Sequence, residues 1–212
     1  MKRINTGIKN FDRLLGGGMP ERELVLIEGP PGSGKSNLGL EFLYRGAQKG
    51  EKGLYVTFQD KENEVLRTTT FDWDFEEAVE SGKINIVSFD PYRYEQIGNM
   101  LRSTVKEKNA TRVVLDPITD LDVYIDSRKD RRKNLLEIKN GLRELGATGM
   151  LIAEESEATD LEEEVADIIL KMDVIRNKGE LERQIYVKKL KGSEYDERIH
   201  NYVFQSDGLK IQ

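Results

Sequence analysis

Gly29-Pro30-Pro31-Gly32-Ser33-Gly34-Lys35-Ser36 fits the spacing G-x-x-x-x-G-K-[ST], a loop that folds around phosphate. Glycines lack Cβ, so the backbone can turn tightly and aim successive N–H groups at anionic oxygens. A helix that follows such a loop presents its positive dipole end to the same oxygens. Lys35 adds a mobile point charge, and the Ser36 hydroxyl is suited to ligate Mg²⁺. The flanks have the order the loop requires. Leu24-Val25-Leu26-Ile27 reads as a buried strand, and Leu38, Phe42, Leu43 and Ala47 keep helical spacing. A glycine-rich turn without function is the plainer reading, and it leaves both flanks unexplained. Gly32, Ser33, Gly34, Lys35, Ser36 and Asn37 are therefore the candidate nucleotide ligands.

Outward from the loop, short apolar runs alternate with helical patterns. The expected strands are Leu24–Ile27, Leu54–Phe58, Ile84–Phe89, Val113–Leu115 and Met150–Ala153. Between them lie amphipathic patterns such as Ile97, Met100, Leu101, Thr104 and Val105, and later Leu135, Ile138, Leu142 and Leu145. This alternation predicts an α/β fold, a mostly parallel sheet with helices on both faces. From Ala166 the pattern changes to Ile168–Val174, Arg183–Leu190, Tyr202–Gln205 and Leu209–Ile211. Turns such as Asn177-Lys178-Gly179-Glu180 link these strands, which read as an antiparallel extension of the same sheet. One domain over residues 1–212 is expected.

The other half of a nucleotide site is an acid that ends a buried strand. Arg112-Val113-Val114-Leu115-Asp116 supplies one, with Asp116 placed to hold a magnesium shell together with Ser36. The competing reading of Asp116 is a turn or helix cap, because Pro117 follows it directly.

Composition narrows the field. The chain has 212 residues, 37% hydrophobic and 34% charged, with no cysteine. Disulfides, thiolate metal sites and cysteine nucleophiles are excluded. The one histidine, His200, lies in a polar stretch and reads as a surface residue. A net charge of −6 argues against a general nucleic-acid binder. No run reaches the length of a membrane span and no signal-peptide core is present, so a cytoplasmic location is expected.

Taken together, these segments resemble the RecA superfamily and, within it, the KaiC-like ATPases. The lead-in Thr6-Gly7-Ile8, Phe11-Asp12 and Leu15-Gly16-Gly17-Gly18-Met19-Pro20 is similar to that family's approach to its first core strand. The phosphate loop, the strand ending in Asp116, Ala166-Asp167-Ile168-Ile169-Leu170, the tail Lys189-Leu190-Lys191-Gly192-Ser193 and Asp207-Gly208-Leu209 follow in family order. The resemblance covers essentially the whole chain as a single domain. It implies ATP and Mg²⁺ as ligands and a homo-oligomer, usually a hexameric ring, with nucleotide between subunits. It also implies that Lys189 and Lys191 reach into a neighbour's site. Without the resemblance, those lysines read as a solvated strand face.

Two departures bear on activity. The family's ATPases carry adjacent glutamates after the second core strand, where this chain has Gln59-Asp60. Glutamine can orient water but cannot accept its proton, so slow turnover is expected. Gln59, Asp60 and Glu154 are the candidates for handling the attacking water. The autophosphorylated Ser-Thr pair of the clock protein is replaced by Glu163-Glu164, which removes the basis for a phosphorylation clock.

Three functions compete at this stage: a slow KaiC-like ATPase that controls its assembly or a protein partner, a RecA/RadA paralogue acting in DNA recombination or repair, and an ATP-bound scaffold that hardly hydrolyses. A P-loop small-molecule kinase is more distant, since no basic lid is evident. In the RecA superfamily two loops meet DNA. The first corresponds to 120–133 and contains Arg128, Lys129, Arg131, Arg132 and Lys133, diluted by four aspartates. The second, 154–164, carries seven acids and no base, so DNA binding is expected to be weak or absent.

Overall fold

Leu24 and Leu26 face one side of their strand, Val25 and Ile27 the other, and all four are buried. Such a strand needs cover on both faces, which a sheet with helical crossovers provides. A computed structural model describes residues 2–58, 60–69, 71–155 and 160–212. In chain order the strands and helices are β1 (Arg3–Ile4), α1 (Phe11–Leu14), β2 (Met19–Pro20), β3 (Leu24–Gly29), α2 (Lys35–Ala47), β4 (Gly53–Thr57) and α3 (Glu62–Thr68). Then come α4 (Phe75–Glu80), β5 (Ile84–Ser88), α5 (Ile97–Lys108), β6 (Arg112–Asp116), α6 (Arg128–Glu144) and β7 (Thr148–Glu154). The chain ends with α7 (Asp160–Val165), β8 (Ile168–Asn177), β9 (Glu180–Leu190), β10 (His200–Gln205) and β11 (Gly208–Ile211). Two 3-10 turns, Pro91–Gln96 and Ile118–Val123, follow β5 and β6.

Among the described residues the main sheet runs β11-β10-β9-β8-β3-β7-β6-β4-β5. The strands from β8 to β5 are mutually parallel, and β9, β10 and β11 extend the sheet antiparallel. One face is covered by α1, α2 and α4, with Phe11, Leu38, Phe42 and Phe75 in the core. On the other, α5, α6 and α7 bury Ile97, Leu101, Leu135, Ile138 and Leu161. The α/β reading, with its antiparallel extension, describes this sheet.

Strand centres fall where the apolar runs put them, but the ladders extend past the runs. The β8–β9 hairpin pairs out to Asn177↔Glu180, three residues beyond Val174. Its turn is at Lys178 (φ 49) and Gly179 (φ 91), the doubly positive geometry that suits the twist of a two-residue hairpin. The acidic stretch read as a loop contains α7. Asp160, Glu162 and Glu163 occupy its first turn, where the helix dipole favours anions, while Leu161 and Val165 are buried one turn apart.

A buried arginine fastens the lead-in segment. Arg112, fully enclosed, donates to the carbonyls of Thr6 (3.1 Å), Phe42 (2.8 Å) and Asn5 (3.0 Å) and pairs with Glu51. This ties the residues before β2 to both α2 and β6, so the phosphate loop starts from a fixed base.

Candidate functional site

Parallel strands deliver their following loops to one end of the sheet, where ligands of open α/β folds bind. Here the segments after β3, β4, β6 and β7 converge there. They line a cleft of about 350 Å³ that includes Gly32, Gly34, Lys35, Ser36, Asn37, Asp60, Asp116 and Glu154. Gly34 precedes α2 with φ 88, and a Cβ on it would come within 2.2 Å of the Phe204 ring. No other residue satisfies both the left-handed backbone and that contact. Tyr202, also from β10, donates its hydroxyl to the Ser33 carbonyl. The antiparallel extension therefore supports the loop from beneath. Ser33 Oγ is buried without a hydrogen-bond partner among the described residues.

Lys35 donates from Nζ to the carbonyls of Gly29 (2.8 Å) and Pro30 (3.0 Å), which holds the ammonium against the loop. Burial pushes its pKa down, and the nearby Glu154, Asp116 and Glu155 carboxylates pull it back up. Asp116 is buried at the end of β6. Desolvation raises its carboxyl above the ordinary value, opposed by hydrogen bonds from Tyr55 and Ser36 and by the Lys35 charge. The Tyr55 hydroxyl donates directly to the Asp116 carboxylate. Asp60 borders the same cleft, its N–H held by Thr57 Oγ1 at 3.0 Å, and Glu154 is exposed at the end of β7. Gln59 lies outside the described residues.

Lys189 and Lys191 lie elsewhere. Lys191 sits 3.5 Å from Asp167, whose carboxylate also accepts the N–H of Leu24, the first residue of β3. The phosphate loop leaves the other end of β3, five residues on, or about 17 Å at roughly 3.3 Å per residue. Pairing in β9 shifts from Ile169↔Lys189 to Leu170↔Val187, leaving Lys188 as the extra residue of a bulge. Lys188 and Lys189 consequently turn toward α7 together. Lys188 pairs with the Glu163 carboxylate, and Lys189 donates to the carbonyls of Glu163 (2.7 Å) and Ala166 (2.9 Å).

The basic cluster at 128–133 also has company. Arg128 pairs with Asp160 (2.5 Å) and Glu164 (3.2 Å), and Arg132 lies 3.7 Å from Glu164. The buried Arg131 sits between Glu162 (2.7 Å) and Asp122 (2.8 Å). Burial pushes Asp122 up to about 6, against the pull of Arg131 and helped by the Glu162 charge. The two loop segments weighed for DNA are thus bonded to each other.

The family model described as "ATPase: KaiC" matches residues 4–212. The chain belongs to the KaiC ATPase family. A UPF0273 protein of Methanopyrus kandleri is 29% identical over 234 residues, covering 100% of this chain and 92% of that one. A UPF0273 protein of Thermotoga maritima is 30% identical over 235 residues, covering 100% and 96%. The crystal structure of a KaiC-like protein from the hyperthermophilic archaeon Pyrococcus horikoshii OT3 superposes with a TM-score of 0.89 at 29% identity, covering 100% of this chain and 99% of its own. The RecA-like fold and the P-loop ATPase class of this KaiC-like domain follow from these matches. No described helix is long and apolar enough to cross a membrane.

Three features of the KaiC-like site escape a reading of motifs. Tyr55 sits in an apolar strand, and the signal was present: a buried tyrosine needs a partner for its hydroxyl. Arg183 donates to the Gly32 carbonyl at 3.4 Å and lies 5.9 Å from the Phe204 ring centre. Glu28, fully buried one residue before Gly29, faces Lys171 at 3.1 Å and Lys188 at 3.7 Å, and its burial raises its pKa. Nothing in the sequence marks Arg183 or Glu28 as different from surface charges.

Proposed function

We propose that this chain binds Mg-ATP in the cleft, hydrolyses it slowly, and uses the nucleotide state to control its own oligomeric assembly or a protein partner. The observation that carries this reading is the division of the site between the two ends of the sheet. At one end, the backbone at Gly32 and Gly34 and the side chains of Lys35 and Asn37 line the cleft, where they can donate to phosphate oxygens. Ser36 and Asp116 form a hydroxyl–carboxylate pair suited to magnesium, which takes one or two carboxylates and fills its shell with water and phosphate. Magnesium held there would neutralise charge on the phosphate oxygens. At the other end, Lys189 and Lys191 are too far to serve the loop of their own subunit, so a phosphate role for them requires a neighbour. That requirement supports a homo-oligomer, with a hexameric ring as its closed form.

Slow hydrolysis rests on Gln59, which can orient water without taking its proton. Among the described residues, Asp60 and Glu154 are the carboxylates at the rim of the cleft. A scaffold that holds ATP and scarcely turns it over is the second reading, favoured by that glutamine. DNA binding has less support, because Arg128, Arg131 and Arg132 already face carboxylates.

Turnover measured beside size-exclusion mass, with and without Mg-ATP, separates these readings. An assembly that grows with Mg-ATP and hydrolyses it slowly is expected. Lys35→Ala is expected to lose most of its Mg-ATP affinity in calorimetry, since a charge-assisted contact disappears. Unchanged affinity in that variant would sink the nucleotide reading.

A further inference from the structure

Glu28, Lys171 and Glu155 form a chain of charges beside the nucleotide cleft that the chemistry described so far does not use. Side chains alternate along β3, so Glu28 points to the same face as the buried Leu24 and Leu26. It is wholly enclosed there. Its partner across the parallel ladder is Lys171 of β8, almost as deeply buried, with Nζ 3.1 Å from the Glu28 carboxylate. The same Nζ donates to the Glu155 carboxylate at 2.8 Å. Burial pulls the Lys171 pKa down, but the bonds to Glu155 and Glu28 outweigh it and leave it above the ordinary value. Lys171 is therefore a charged bridge between a buried acid and one that reaches solvent.

A buried ion pair is seldom more stable than apolar side chains of the same volume, so stability alone does not account for this one. Its position gives it a use. Glu155 follows directly on β7, and its N–H donates to the Gly29 carbonyl at 3.4 Å, which extends the β3–β7 ladder by one bond. That carbonyl also accepts Lys35 Nζ. Alternation puts Glu155 on the face of Leu151 and Ala153, and Glu154 on the face of Ile152. Ile152 and Glu154 both line the cleft. Holding Glu155 on one face of the sheet thus fixes Glu154 on the other. Burial lowers the Lys35 pKa, and of the carboxylates that pull it back up, Glu154 acts most strongly. The bond from Lys171 holds the Glu155 carboxyl below its ordinary value, so the bridge is made between charged groups.

We infer that Lys171 is a positioning residue for hydrolysis: anchored on Glu28 and gripping Glu155, it holds Glu154 in the cleft as the carboxylate that handles the attacking water. This role rests on the reading that the cleft hydrolyses ATP, and it selects Glu154 over Asp60 for the task. Lysine suits the bridge because its ammonium carries three N–H donors, enough to serve both carboxylates at once.

Steady-state ATP turnover and Mg-ATP calorimetry on the full chain test this role. Lys171→Met is expected to lower kcat about 3- to 30-fold, part of the roughly 100-fold that a displacement of about 1 Å can cost, with Mg-ATP affinity unchanged. Glu155→Ala breaks the same bridge from its exposed end, leaves the buried pair in place, and should lower kcat alike. Lys171→Met orphans the Glu28 charge, so Glu28→Met combined with Lys171→Met supplies the folding control. Its urea midpoint should match the parent's while kcat stays low. Glu154→Gln alone should be slow, and Lys171→Met added to it should cause no further loss. Four results would each overturn the inference. They are parental kcat in Lys171→Met or Glu155→Ala, recovery of kcat in the paired variant, a loss of affinity in place of kcat, or losses that multiply in the Glu154→Gln background. Parental turnover in Glu154→Gln would instead remove Glu154 from hydrolysis, and the inference with it.

Discussion

Tyr55→Phe removes a single oxygen and keeps the ring, so it isolates one interaction. The hydroxyl donates to the Asp116 carboxylate, and the two residues are only 5% and 6% exposed. A hydrogen bond to a charged group contributes about 1.5–3 kcal/mol. Tyr55 borders the cleft, so a water molecule can take over part of the lost donor's role. The expected destabilisation is therefore near the lower end, about 1.5–2 kcal/mol. Against a typical total of about 5–15 kcal/mol, urea denaturation resolves that loss.

The pH dependence gives the sharper check. Burial raises the folded-state pKa of Asp116, and the Tyr55 bond is the first of the influences that lower it again. A carboxyl raised on folding contributes stability below its unfolded pKa and loses it as pH rises through the folded pKa. Removing Tyr55's hydroxyl raises the folded pKa further. The variant should fall increasingly behind the parent as pH rises, and the two should converge in acid, where Asp116 is protonated. Denaturation midpoints with matched slopes across that range would measure this. A deficit that is the same at every pH, or none at neutral pH, would refute the assignment of Tyr55 as the residue that holds the Asp116 carboxylate.

Gln59→Glu should raise ATP turnover with nearly unchanged ATP affinity, by a fraction of the roughly 10²–10⁴-fold that a tuned general base supplies; unchanged turnover in steady-state assays would show that the water is handled elsewhere, and slower turnover that the glutamine amide is itself needed. In mixed oligomers, Lys189→Ala subunits should depress turnover at wild-type neighbours, and activity strictly proportional to the wild-type fraction would exclude a trans role. Asp122, pushed up to about 6 by burial, makes the fold lose stability as pH rises through that value. Asp122→Asn should flatten this part of the profile, and parallel denaturation profiles for parent and variant would count against it.

The fold was legible because parallel strands covered on both faces must be almost wholly apolar. Leu24–Ile27, Val113–Leu115 and Met150–Ala153 announce themselves, and turn residues separate them. The phosphate loop was legible because its chemistry needs fixed residues at fixed spacing. Buried charge was not. Nothing in the sequence marks Arg112, Arg131, Glu28 and Lys171 as buried, since a pattern of polar letters does not reveal that two of them face each other inside the protein. The helix at Asp160–Val165 was hidden for a related reason: acids suited to a helix start looked only like an anionic loop. Tyr55 and Arg183 enter the site through strand pairing far along the chain, which short-range spacing does not encode.

The separation of Lys189 and Lys191 from the phosphate loop by the length of β3 has a consequence for symmetry. Under the trans reading a subunit gives at one end of its sheet and receives at the other, a pairing that a head-to-tail contact repeated around a ring satisfies at every site. Under the trans reading, every open row of subunits has one terminal site with no donor and one terminal donor with no site. Only closure leaves nothing unmatched. Catalytic capacity per subunit would then climb as a row lengthens and reach its full value when the last gap shuts, making hydrolysis a measure of whether the ring is complete.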